Sequence, residues 1–158
     1  MKKIILLFLL IATSAFCQGS LDFKYRTIEC VKMADFLVKR KHAETPEDGY
    51  AYWKLKALEK ALITTEDDKK DFKKLFVKEF PKFREASERY KKENTLNNKL
   101  ELIKLLIANE DSFRKLLTEK QLVYYKSYNP NEKYISDEAF KNYFMTEQVY
   151  NSYKKETF

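Results

Sequence analysis

The sequence predicts an all-α fold, a small bundle or curved hairpin of about five to six helices. After the first twenty residues the only glycine is Gly49, and the prolines are Pro46, Pro81 and Pro130. Tight hairpins need residues that accept positive φ, so a chain this poor in glycine offers few places for β-turns. Lys, Glu, Leu and Ala are abundant, and apolar residues recur at spacings of three and four.

The first residues, "MKKIILLFLLIATSAFCQ", follow two lysines with an apolar run and then small residues, the layout of a secretory signal peptide. Ala15 and Cys17 suit a cut before Gln18, leaving residues 18–158 as one helical domain. The rival is a lipoprotein with Cys17 acylated, against which bulky Phe16 argues. The apolar run is shorter than the roughly 20 residues that span a bilayer, so no stable membrane insertion is expected. The address is export, with the periplasm ahead of the medium or a lipid anchor.

The full chain carries a formal charge of +7 over 158 residues. Without Lys2 and Lys3 this falls to +5, with both signs interleaved, a weak bias that solubility alone explains. Nucleic-acid binding is not expected. Cys30 is then the only cysteine, so no intrachain disulfide can form; an intermolecular bridge is open to it, but a small core residue in "TIECVKMADFL" fits better.

Element by element, a first helix is expected over Leu21–His42, with Ile28, Val31, Met33, Phe36 and Leu37 as its apolar stripe. Thr45 caps a second, Pro46–Leu62, with Pro46 at N1 and acidic residues behind it. Thr64 or Thr65 caps a third, long helix. There Phe72, Phe76, Phe80, Phe83, Ser87 and Tyr90 share one face, and Pro81 predicts a bend near Val77–Pro81 rather than a stop. The pattern pauses at "NTLNN", and Leu100–Leu117, the most apolar stretch of the mature chain, is expected at the core. Thr118 begins a helix to about Ser127, "NPNEKYIS" is a loop, and Ser136 caps a last helix with Phe140, Tyr143, Phe144 and Tyr150.

Catalytic constellations are missing. His42, the sole histidine, has no Ser, Cys or Asp within three residues, and no phosphate loop or nucleophile elbow occurs. No Glu-x-x-His pair offers a bundle metal site, and Glu66, Asp67 and Asp68 fan around a helix start. No cofactor, metal or enzymatic activity is expected.

Thr118 and Gln121 form a capping box in "LLTEKQ", worth about 1 kcal/mol; Leu117 precedes the cap. In this context the chain resembles the Spy/CpxP family of small periplasmic proteins, whose LTxxQ motif Leu117, Thr118 and Gln121 match. A degenerate copy stands at Ile63, Thr64 and Asp67, with Ile for Leu and Asp for Gln. The likeness covers about Leu62 to Tyr128. It implies a curved helical homodimer in envelope stress, either a chaperone that needs no ATP and cradles unfolded clients or an adaptor for a sensor kinase. On that reading Phe72, Lys73, Phe76, Phe80 and Phe83 would be a client-binding face; on periodicity alone the phenylalanines are core. The alternative is a regulatory or structural helical module that binds one folded partner, such as a sensor domain or a toxin.

Overall fold

Helices 1 to 6 succeed one another in a computed structural model that describes residues 27–128, 140 and 143–158. The signal segment expected over 1–17 with its cut before Gln18, residues 21–26 of the first expected helix, and the loop expected at Pro130 and the cap expected at Ser136 lie outside the described residues. Among the described residues no strand occurs, and the fold is all-α. We label the helices α1 (27–39), α2 (Pro46–Ala61), α3 (Glu66–Lys92), α4 (Leu96–Arg114), α5 (Glu119–Ser127) and α6 (Glu147–Thr157).

The first helix stops at residue 39 rather than at His42. Lys41 takes a positive φ of 59°, its N–H bonds to Val38 O at 3.0 Å, and the His42 N–H reaches back to Leu37 O at 2.9 Å. This is a Schellman stop with lysine where glycine is usual. A side chain in the left-handed region costs about 1–2 kcal/mol, partly offset by the greater freedom of glycine when unfolded. Lys41→Gly should therefore raise stability by about 0.5–1 kcal/mol in urea titration.

Thr45 caps α2, its hydroxyl accepting from the Asp48 N–H at 3.2 Å, with Pro46 in the first turn. Gly49 does more than weaken that turn, because α1 crosses there. A Cβ on Gly49 would stand 2.7 Å from the backbone oxygen of Ala34. Alanine normally gains about 1 kcal/mol over glycine inside a helix; here the clash is with backbone, and overpacking costs about 1–3 kcal/mol. Gly49→Ala should lower the melting temperature, and a rise would show that α1 yields freely.

Thr65, not Thr64, caps α3. Its hydroxyl accepts from the Asp68 N–H and the Asp68 carboxylate accepts from the Thr65 N–H at 2.8 Å. The earlier box is thus Thr65 with Asp68, one residue beyond the expected Ile63, Thr64 and Asp67. The helix continues through Pro81, whose ring is on the exposed side. Proline gives Val77 O no N–H to accept, a loss that water can make good on that side.

Thr95 starts α4 at Leu96, inside the stretch where the pattern pauses, and Arg114 ends it. Arg89 near the end of α3 pairs with Glu101 near the start of α4 at 2.9 Å, while Phe72 near the start of α3 meets Phe113 near the end of α4 at 5.2 Å. The two helices are therefore antiparallel. The expected last helix is divided: residues 140 and 143 are helical, the helical conformation is interrupted at 144–146, and Thr146 caps α6 anew. Thr146 accepts from the Val149 N–H, a local start that competes successfully with continuation.

The four phenylalanines of the α3 stripe are each 2% exposed or less. Phe72 and Phe76 pack on Phe113, and Phe80 and Phe83 on Tyr50. Lys73 is outside, paired with Asp48 at 2.9 Å. The stripe offers no surface to a client in this conformation. Cys30 is likewise a core residue, and His42 is exposed.

Candidate functional site

Inside this aromatic core sit charges on three helices. Lys54 follows Tyr50 by four residues and precedes Ala57, Leu58 and Ala61 on the inner face of α2, so helical spacing carries it inward. Glu79 lies on the phenylalanine face of α3 between Phe76 and Phe83, and Glu110 on the face of α4 that holds Ile103, Ile107 and Phe113. All three are buried.

The Lys54 ammonium is boxed by rings. Its Nζ is 4.2 Å from the centroid of Phe76, 4.9 Å from Phe144 and 5.2 Å from Tyr50, and 3.8 Å from Glu79 Oε2. Rings and carboxylate favour the cation; burial disfavours it and prevails, pulling the lysine pKa below its usual value. Neither Glu79 oxygen accepts a hydrogen bond from a protein group. Burial pushes the Glu79 carboxyl up to about 6 despite the attraction of Lys54.

Glu110 is better served. Its Oε1 accepts from Arg114 Nε at 2.8 Å and from the Tyr125 hydroxyl at 2.9 Å. Burial still holds its pKa above the ordinary carboxylate range, the two donors pulling the other way. Arg114 then reaches α6: its guanidinium stacks 3.9 Å over Tyr150, and Nη1 is 2.9 Å from Glu147 Oε2, an ion pair without hydrogen-bond alignment. The Tyr150 hydroxyl donates to Asp111, which Lys154 also approaches at 3.5 Å. The network fastens α5 and α6 onto α4.

Beside Lys54 lies a cavity of about 90 Å³. Cys30, Tyr50, Lys54, Asn109, Glu110 and Tyr143 are among its walls, and partly exposed Met145 and Val149 form its outer side. Its polar walls fit water or a small ligand. Burial raises the Cys30 thiol to about 12, so it is protonated and inert near neutrality.

The two capping boxes meet. Thr118 accepts from the Gln121 N–H at 3.3 Å, and Gln121 Oε1 accepts from the Thr118 N–H at 3.0 Å. The other end of the same amide donates to Ile63 O and to Asp68 Oδ2, both at 3.1 Å. One glutamine thus completes its own box and ties the start of α5 to the start of α3. Leu117 is buried beside this junction, whereas Ile63 is 93% exposed.

No protein-family model matches the chain, and neither a curated protein nor a solved structure matches it. Its chemistry must be read from its own residues.

Among the described residues no group of three or more His, Cys, Asp or Glu side chains converges as a metal set, and no helix is long and apolar enough to cross a membrane. Glu66 and Asp67 pair locally with Lys69 and Lys70. The sequence reading missed Lys54, Glu79, Glu110 and Arg114. The signal was available as charge standing on the apolar face of a helix, at spacings of three and four from buried rings.

Proposed function

We propose that this is an exported, non-enzymatic helical module that binds one folded protein partner, alone or as the homodimer that the Spy/CpxP resemblance implies. The observation that carries the reading is the distribution of apolar surface. The phenylalanine stripe is enclosed, while the large apolar groups left outside include Ile63, Leu116, Val123 and Tyr124 on and around the α3–α5 junction. Unfolded clients need broad, adaptable apolar surface; a few exposed groups on a fixed junction suit one complementary surface. The periplasm remains the expected compartment, on the strength of the signal-like segment.

The test is a photo-crosslinking side chain at Val123, expressed in the envelope of a bacterial host that carries the natural partner. One discrete protein adduct is expected, with no delay of aggregation when purified protein is mixed with an equimolar denatured client. A smear of many adducts together with suppressed aggregation would restore the chaperone reading. Absence of any adduct from Val123 and from Leu116 would remove the junction as a docking surface.

A further inference from the structure

The cavity next to Lys54 has features that a packed hydrophobic core does not need. At about 90 Å³ it has room for about three waters, or for a compound of a few heavy atoms. Asn109 lines it, and the Asn109 Nδ2 is buried with no hydrogen-bond partner in the protein. The ionisable groups facing Lys54 are Cys30 from α1, Tyr50 from α2, Glu79 from α3 and Glu110 from α4, with Tyr143 on the far wall.

The charges choose the class of ligand. Lys54 and Arg114 balance Glu79 and Glu110, so an added anion or cation would leave unpaired charge in a desolvated space, which is costly. An uncharged molecule with a hydrogen-bond acceptor adds none. A carbonyl oxygen can take the idle Asn109 donor, and the aromatic and aliphatic walls suit a short carbon chain.

We propose that this cavity binds a small uncharged aldehyde or ketone and holds it covalently, as an imine on Lys54. The proposal is independent of the partner reading above. Glu79, 3.8 Å from the ammonium, accepts its proton. The freed lone pair forms a C–N bond to the carbonyl carbon while the C=O π pair moves to oxygen, and one proton passes from the nitrogen to that oxygen to give a carbinolamine. The C–O bond then breaks as the Glu79 carboxyl gives back its proton, the hydroxyl leaves as water, and the nitrogen pair closes the C=N bond, the imine keeping its N–H proton opposite the restored carboxylate. Amine and carbonyl become imine and water, with no change of oxidation state.

The experiment exposes the purified protein to propanal at neutral pH for short times with cyanoborohydride, which fixes an imine as a secondary amine, and maps it by peptide mass spectrometry. Lys54 should be labelled faster than exposed Lys70 and Lys74, since the cavity holds the carbonyl beside it and the lowered lysine pKa leaves more of the amine unprotonated near neutrality. Labelling of Lys54 no faster than theirs would overturn the proposal. Asn109→Ala should slow labelling at Lys54 several-fold while Lys70 keeps its rate. An unchanged Lys54 rate in that variant would mean that the reagent arrives through general opening of the fold, and would overturn it equally.

Discussion

Lys54→Met alone and Glu79→Leu alone should each destabilise the protein by about 3–5 kcal/mol, whereas the double variant should match or exceed the parent. Each single change leaves an uncompensated charge in the core. Glu79 begins with no hydrogen-bond donor, its attractive partner Lys54 is 3.8 Å away, and Glu110 repels it. That separation is long for an ion pair, so attraction recovers only part of the cost of desolvating both groups. Three rings around Nζ add cation–π attraction, and methionine keeps much of that packing through its thioether. Urea titration of the four proteins in the mutant cycle decides the matter. A double variant as weak as the sum of the singles would mean that the pair supplies net stability.

The same pair gives a pH dependence. The Glu79 carboxyl is raised to about 6 in the folded chain from an ordinary value near 4.5. The folded state therefore binds more protons than the unfolded state between these values, and the Glu79 contribution is full below the lower one and lost as pH rises through the upper. Acidification from pH 7 to pH 5 should increase this contribution by on the order of 1–2 kcal/mol. Glu110 is shifted the same way. Asp48, Asp68 and Glu66 are lowered by their partners, so their loss begins only as pH approaches the ordinary carboxylate range. Melting curves of the parent and of Glu79→Gln at pH 7 and pH 5 should show a smaller gain on acidification in the variant. Equal gains would assign the effect elsewhere.

Local rules placed the helices well where they act alone. Thr45 before Pro46, Thr118 before Gln121 and the spacing from Phe72 to Phe83 are statements about neighbouring residues, and the folded chain obeys them. The misplacements came where a second element decides. Thr64 and Thr65 are equal as caps on propensity and each has an Asp at N3, Asp67 or Asp68; what separates them is that Asp68 meets Gln121 from fifty-three residues away. The division before α6 depends on Thr146 being free to cap while Phe144 stays packed on Phe113 and Phe140. The charged core was visible as a pattern and opaque as a site. Spacing can put Lys54 on an inner face, but it cannot say that Glu79 and Glu110 arrive beside it.

Phe113→Ala should cost about 3–5 kcal/mol, among the largest effects of any single truncation in this chain. Phe113 touches Phe72 and Phe76 of α3 at 5.2 and 5.7 Å, and Tyr125 and Phe144, both at 5.4 Å. It therefore joins the α3 stripe to the layer made by α5 and the segment before α6. Its loss removes apolar burial and leaves a void bordered by rigid rings, which relax poorly into the space. The neighbouring Arg114 also stacks on Tyr150 and holds Glu110, so a shift of this turn loosens α6 as well. Helical circular dichroism and the fluorescence of Trp53, whose ring meets Tyr143 edge-on at 6.5 Å, should lose signal in one coincident urea transition at lower midpoint. Leu116→Ala, at a side chain left partly outside, should change stability by less than about 1 kcal/mol. If the two truncations proved equal, the Phe113 contacts would not be the junction of the core; if the two signals of Phe113→Ala separated, α5 and α6 would be a unit that opens before the α3–α4 pair.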